Sequence, residues 1–281
     1  MMKKLESIAR LIKIEHTLFS LPLIFSGVLL AYRGFPKMIL ILWILVCGIS
    51  ARTVAMILNR IIDIEIDALN PRTKDRELPS GRLSKQSAVA LLIFALIIYF
   101  FSAYMISNFC LMLSPIPLII FIFYPYAKRF TTFAHFGVGL GLSMAPLGGW
   151  IAVKNSFDGI LPGALLSFFT LFWVSGFDII YSTLDENFDR KQNLFSFVVK
   201  YGKKKALKIS AFLHLLGFLM LLILFIFEIK SIYAFPFLLI SGYLLYLEQK
   251  KSDDVELAFF KINAVVGFAV FIMVLTGVYF T

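Results

Sequence analysis

Two short acidic runs hold the residues whose types and spacing could do chemistry: Asn59, Asp63 and Asp67 in NRIIDIEID, and Tyr181, Asp185 and Asp189 in YSTLDENFD. Each follows an apolar stretch of spanning length, and on a continuing helix a spacing of four sets the named side chains on one face. Carboxylates at that spacing repel one another, so local helix physics does not favour the arrangement. A divalent cation shared with an anionic ligand removes the penalty. Mg²⁺ prefers octahedral oxygen ligands, keeps several waters and is commonly held by one or two carboxylates together with substrate phosphates. The ligand implied is a phosphate or diphosphate, with Asn59, Asp63, Asp67, Asp185 and Asp189 as candidate metal ligands. Zn²⁺ is a poorer match, because His16, His135 and His214 are scattered along the chain. Cys47 and Cys110 both fall inside apolar stretches and support neither a disulfide framework nor a thiolate site.

Several further side chains could act with these acids. Arg72 and Arg76, just beyond the first run, could fork onto phosphate oxygens, and Lys128 offers a point charge. Tyr124 lies one helical turn before Lys128, and Tyr181 one turn before Asp185. Asp178 sits deeper in its apolar segment, where an ionisable group is expensive and usually functional; a partner such as Arg52 or His135 would make it structural instead. Bland alternatives stand beside each reading. Asp63 and Asp67 could be solvated interfacial acids balanced by Arg72 and Arg76, Asn59 could bond a neighbouring helix, and Arg10 and Lys13 could anchor to lipid headgroups rather than contact a diphosphate.

The elements that must position these residues are membrane helices. The chain has 281 residues, 60% of them hydrophobic and 31 of them Phe, which is more apolar surface than a soluble domain of this length requires. Windows of about 17 to 25 apolar residues, enough to cross a bilayer, fall near 14 to 33, 38 to 59, 87 to 106, 109 to 127, 133 to 153, 160 to 181, 208 to 227, 231 to 248 and 259 to 280. Nine spans put the termini on opposite sides. Lys3, Lys4 and Arg10, the basic residues of 60 to 86, Lys128, Arg129, those of 190 to 208, Lys250 and Lys251 all fall on one side, whereas the other receives only Arg33, Lys37, Lys154 and Lys230. The first side is therefore expected to be cytoplasmic, with both acidic runs facing it. The net charge of +10 is concentrated there, where attraction to anionic headgroups needs no further ligand. Nucleic-acid binding is not expected, since the basic residues sit in loops between spans without a recognition domain. The first span, preceded by Glu6 and Glu15, reads as a retained helix rather than a signal peptide.

No linker or low-complexity tract interrupts the spans, and the chain reads as one helical domain over 1 to 281. Two cytoplasmic loops have room for structure, 61 to 86 and 182 to 207. In the first, Asn70-Pro71 and Pro79-Ser80-Gly81 should stop a helix running through Asp67. In the second, Phe195, Phe197 and Val198 suggest a short amphipathic helix over the site. The N-x3-D-x3-D and Y-x3-D-x3-D runs, about 122 residues apart, hint at an internal duplication.

These residues together resemble the UbiA family of intramembrane aromatic prenyltransferases. The match rests on N-x3-D-x3-D at 59, 63 and 67, NPRTKDRELPSG at 70 to 81, Tyr124 with Lys128, and D-x3-D at 185 and 189 preceded by Tyr181-Ser182, in the family's order and spacing over roughly residues 10 to 205. The last three spans match only in number. The resemblance implies an all-α, nine-helix polytopic bundle around a central cavity in the cell inner membrane, open to the cytoplasm and capped by the loops 61 to 86 and 182 to 207. It implies that the two aspartate motifs bind Mg²⁺ and the diphosphate of a polyprenyl donor, and that a ring carbon of an aromatic acid is alkylated. One departure is Arg60, where many members carry a second Asp.

On that expectation Arg72, Arg76 and Lys128 stabilise the leaving diphosphate, tyrosine faces shelter the allylic cation, and Asp178 or a nearby carboxylate accepts the ring proton. Tyr124, Tyr181, Ser182 and Arg10 join the substrate-binding set. The expected acceptor is 4-hydroxybenzoate in ubiquinone biosynthesis, with a dihydroxynaphthoate of menaquinone biosynthesis as the second choice. A secondary transporter is the rival from another class, although its coupling acids belong near the bilayer midplane on broken helices rather than at helix ends on one face.

Overall fold

Long apolar runs must satisfy their backbone polar groups within the segment, and this chain does so with helices alone. The computed structural model describes residues 2–13, 17–34, 36–255 and 257–280 and contains no strand among them. Glu15 and His16 lie outside the described residues. The helices run α1 (Met2–Ile12), α2 (Thr17–Tyr32), α3 (Met38–Ile62), α4 (Ile64–Leu69), α5 (Lys85–Ile106), α6 (Asn108–Leu113), α7 (Pro115–Ala127), α8 (Ala134–Lys154), α9 (Leu161–Ser182), α10 (Glu186–Lys191), α11 (Phe197–Tyr201), α12 (Lys203–Leu224), α13 (Phe235–Lys250) and α14 (Asn263–Tyr279). Short π-helical segments, Phe225–Ile229 and Leu257–Ile262, follow α12 and precede α14.

Among the described residues, six helical stretches are long and apolar enough to cross a membrane: Met38–Ile62, Lys85–Ile106, Asn108–Ala127, Ala134–Lys154, Leu161–Ser182 and Lys203–Ile229. Ser20–Tyr32 and Asn263–Tyr279 are apolar but shorter, and α13 has 16 residues. Each of the nine windows read from the sequence thus falls on helix, with six of them at full spanning length. Asn108–Ala127 is broken at Ser114, because Pro115 and Pro117 carry no N–H for the helical ladder. The Ser114 carbonyl is satisfied from outside by the Tyr99 hydroxyl, which donates to it at 2.9 Å.

The chain packs as two compact units, Met1–Leu18 with Met38–Tyr126, and Phe19–Lys37 with Ala127–Thr281. In the first, Leu11 of α1 and Ile57 of α3 pack with Leu78, Leu83 and Ala88, which pins the 70 to 84 turn region onto the bundle. That region starts where the sequence indicated. Asn70 is extended and ends α4, Gly81 adopts φ +73 in the Pro-Ser-Gly turn, and the Ser84 hydroxyl caps α5 by accepting from the Ser87 N–H.

In the second unit, α9 is the central helix, with Phe169, Trp173, Ile179 and Ile180 fully buried. The π-faces of Phe169 and Trp173 stack. Phe197 and Val198 of α11 are buried with Ile179, Ala206 and Leu213, while Phe195 precedes that helix and stays exposed. The amphipathic helix expected from Phe195, Phe197 and Val198 is therefore shorter than expected and excludes Phe195. Between α12 and the turn after α13, Lys203 donates to Asp253 at 2.8 Å and this hydrogen bond lowers the Asp253 carboxyl below its ordinary value, although both groups are exposed and the pair adds little stability.

Two glycines let α2 and α8 approach backbone to backbone. A Cβ on Gly27 would overlap the Pro146 carbonyl oxygen, and one on Gly149 the Ile24 carbonyl oxygen. Gly148, one residue away, has no atom within 4 Å of such a Cβ. Gly149→Ala is expected to destabilise the detergent-solubilised protein by about 1–3 kcal/mol, as overpacking does. Gly148→Ala is expected to stay within about 0.5 kcal/mol of the parent. Thermal melts of the two variants check this, and equal melting temperatures would contradict the close approach.

Candidate active site

In the first unit, α3 ends at Ile62 and α4 begins at Ile64, with Asp63 between them at φ −94, ψ 7, the sparsely occupied region between helix and strand. The ladder nevertheless runs through the elbow: the Asp63 N–H donates to the Asn59 carbonyl at 3.0 Å and the Asp67 N–H to the Asp63 carbonyl at 2.8 Å. Asn59, Asp63 and Asp67 consequently keep the shared face that their spacing indicated. The Asn59 side-chain amide donates to Asp63 Oδ2 at 3.3 Å.

Asp63 is only 4% exposed and Asp67 5%, which rules out the reading of these acids as solvated interfacial charges. A buried carboxylate needs partners, and Asp67 has two cations. Arg76 Nη1 donates to both its oxygens, at 2.8 and 2.7 Å, and Arg60 Nη1 lies 3.8 Å away. Arg60 is itself buried, with the Asp67 carboxylate beside it. Arg76 is therefore held by Asp67 in this structure. Arg72 has an exposed side chain and anchors its backbone N–H to Asn70 Oδ1 at 2.9 Å. Arg10 pairs with Glu6 of its own helix at 2.5 Å, both side chains exposed, as a surface ion pair does. Tyr124 is half-buried on α7.

The second unit has a matching elbow. Asp185 adopts φ −105, ψ 3 ahead of the six-residue α10, and the Asp189 N–H donates to the Asp185 carbonyl at 2.8 Å. One expectation needs correction here. Tyr181 and Asp185 do not follow one another on a continuing α-helix, because the Thr183, Leu184 and Asp185 N–H groups bond three residues back, to Ile180, Tyr181 and Ser182. The cause is local. The Ser182 and Thr183 hydroxyls donate to the carbonyls of Ile179 and Ile180, each at 2.7 Å, and such back-bonding competes with the regular ladder. Tyr181, Ser182, Asp185 and Asp189 are all half-buried. The Lys128 carbonyl accepts from the Phe195 N–H at 2.7 Å, which ties the loop after α10 to the start of this unit, and the Lys128 side chain is half-buried.

Asp178 has the partner that sequence reasoning named as one of two candidates. His135 Nδ1 lies 2.7 Å from Asp178 Oδ2, and His135 Nε2 accepts from the Phe197 N–H at 3.4 Å. Sequence reasoning missed a second polar set in the same unit. The Trp173 indole N–H donates to Asn263 Oδ1 at 2.8 Å, the Asn263 amide donates to Glu248 Oε1 at 3.0 Å, and His214 Nε2 stands 3.9 Å from Glu248 Oε2. Gln249 donates to both His214 Nδ1 and Ser210 Oγ. Polar residues inside apolar spans were the available signal for this set. It ties α12, α13 and α14 to α9, the helix that carries Asp178.

The profile of the UbiA prenyltransferase family matches residues 20–265. The chain belongs to that family. Among relatives of this UbiA-family chain, the 4-hydroxybenzoate octaprenyltransferase of Francisella tularensis subsp. novicida is 27% identical over 259 residues, which are 88% of each chain. That of Blochmanniella pennsylvanica is 28% identical over 80% of this chain and 75% of its own length. A solved UbiA homologue from Aeropyrum pernix superposes with a TM-score of 0.87 at 31% identity, covering 94% of this chain and 98% of the other. A homologue from Archaeoglobus fulgidus, bound to DMAPP and Mg²⁺, has a TM-score of 0.71 over 94% of this chain and 99% of the other, and at 17% identity shows a common fold. The chain is accordingly an integral membrane prenyltransferase-family protein.

Among the described residues no three of His, Cys, Asp and Glu gather as a metal cage. The oxygen donors of Asn59, Asp63 and Asp67 are of the hard kind that suits Mg²⁺, which is satisfied by one or two carboxylates plus phosphate and water. The buried Asp63 carboxylate, steadied by the Asn59 amide, is the group in the first unit best suited to such a cation.

Removing the guanidinium that clamps a buried carboxylate leaves the charge under-compensated. Arg76→Met is expected to cost about 1–3 kcal/mol of stability. Adding Asp67→Asn should recover part of that loss, measured by thermal unfolding; strictly additive losses would show that the pair is not coupled.

Proposed function

We propose that this chain transfers a polyprenyl group from its diphosphate to a ring carbon of an aromatic acid, with 4-hydroxybenzoate as acceptor. The observation that carries the reading is the pair of matched elbows, each a membrane helix that turns at an aspartate into a six-residue helix bearing a second aspartate four residues on. The names of relatives that match most of the chain support the acceptor. Solved homologues from Archaeoglobus fulgidus bound to DMAPP or GPP and Mg²⁺ support the donor and the metal.

In this reading Asn59, Asp63, Asp67, Asp185 and Asp189 would hold Mg²⁺ and diphosphate. Bound Mg²⁺ supplies charge neutralisation of the diphosphate leaving group. Arg72, Lys128 and Arg76 bind its oxygens, with Arg76 exchanging its Asp67 partner for phosphate. As the allylic C–O bond breaks, its electron pair leaves with the diphosphate, and these cations hold the charge where it develops. The faces of Tyr124 and Tyr181 stabilise the allylic cation, and apolar walls keep water from it. The ring carbon forms the new C–C bond, and the proton it loses passes to the Asp178 carboxylate. Ser182 and Arg10 complete the substrate-binding set. Residues 1 to 281 would then form one transferase domain, with the loops 61 to 86 and 182 to 207 capping the site on the cytoplasmic face of the inner membrane. Lys/Arg asymmetry between the two sides supports that orientation.

The test incubates the purified protein with Mg²⁺, a series of polyprenyl diphosphates and either 4-hydroxybenzoate or a dihydroxynaphthoate, and identifies products by mass. A prenylated 4-hydroxybenzoate is expected, along with a loss of at least about 10²-fold in kcat for Asp63→Asn or Asp185→Asn at unchanged melting temperature. Prenylation of the naphthoate alone would move the acceptor, and full activity in either variant would reject the site.

A further inference from the structure

We infer that His135 is a positioning residue for Asp178, holding that carboxyl group aimed as the acceptor of the ring proton; the inference rests on the proposed prenyl transfer. The hydrogen bonds of the imidazole decide its tautomer. The Phe197 backbone N–H can only donate, so His135 Nε2, 3.4 Å away, presents its lone pair. The ring proton of a neutral imidazole then sits on Nδ1 and donates to Asp178 Oδ2 at 2.7 Å.

The arrangement also divides labour between buried and open atoms. The His135 side chain is 5% exposed and the Asp178 side chain 23%, so the imidazole is enclosed while the carboxylate reaches open space. His135 is enclosed by the fold rather than by its neighbours in sequence. It comes from the first turn of α8, its ring stacks on Phe197 of α11 at 5.6 Å and 20°, and Phe136 packs on the same cluster. Asp178 stands on α9, which is anchored there by the full burial of Ile179 and Ile180, the next two residues. Orientation of a general base by a buried hydrogen-bond partner is how a proton acceptor is kept within reach of its substrate before the substrate arrives. In the step served, the ring C–H bond breaks, its electron pair restores the aromatic ring, and the proton passes to the Asp178 carboxylate; the Nδ1–H remains on His135.

Two isosteric substitutions separate positioning from packing. In His135→Asn the amide nitrogen takes the place of Nδ1 and keeps the donor to Asp178 while losing the Phe197 contact. In His135→Gln the terminal amide takes the place of Nε2, keeping that contact and losing the donor. Expected for Gln is a fall in kcat of roughly 10²-fold, the lower end of what a positioned acid–base group contributes. The KM for prenyl diphosphate should stay unchanged, and an isotope effect should appear with ring-deuterated acceptor as proton removal becomes limiting. Asn should remain close to wild type without an isotope effect. A Gln variant as active as Asn, equal losses in both without an isotope effect, or failure of both to fold would assign His135 to packing and overturn the inference. An Asp178→Asn variant with full activity would overturn it while leaving the transferase reading intact. A wild-type protein that prenylates neither acceptor would remove the reading and the inference together.

Discussion

Polar groups buried in an apolar bundle must find partners where they stand. Asp67 is enclosed with two guanidinium groups, the partly open Asp178 pairs with an imidazole, and the buried Glu248 accepts from the Asn263 amide. Each compensation reaches across helices, so the polar residues also fix how those helices meet. Glu248 and Asn263 do this for the last spans by joining α13 and α14 to Trp173 of α9. The result is that α9 is held along its length, from the stacked Phe169 and Trp173 pair to Ile179 under α11, before it turns at Asp185.

The two elbows follow from the same economy of hydrogen bonds. At Asp63 and Asp185 the backbone adopts the region between helix and strand, and a short helix follows with a second aspartate on its first turn. The elbows differ in how they are reached. The first keeps the four-residue ladder, whereas the second is tightened by the Ser182 and Thr183 hydroxyls. An internal duplication suggested by the spacing of the acids is thus matched by similar backbone geometry at the two turning residues, without matching side chains around them. Arg60 illustrates the divergence: it replaces an acid of the resembled family's pattern and is buried beside Asp67.

Much of this was legible in the sequence because its signals are local. Spanning-length apolar windows, Asn70-Pro71 and Pro79-Ser80-Gly81 as stops, and the acids at helix ends each depend on a few adjacent residues. What was not legible depends on distance or on competing local bonds. Nothing in YSTL announces that hydroxyls will claim the carbonyls of Ile179 and Ile180. That Arg76 clamps both oxygens of Asp67 across nine residues of turn, and that His135 rather than Arg52 meets Asp178 across 43, depends on the fold. The Glu248, Asn263 and His214 set went unread because the last three spans carry no spaced motif, only isolated polar residues in apolar surroundings.

The central claim is that acids from both elbows bind a metal-neutralised diphosphate, and it is tested most directly by binding rather than turnover. Titration calorimetry of the purified protein with an unreactive prenyl thiolodiphosphate, with and without Mg²⁺, reads it without any acceptor. The account predicts binding that requires Mg²⁺ and is lost in Asp63→Asn and in Asp185→Asn separately. Equal affinity without the metal, or binding retained in either variant, would contradict it.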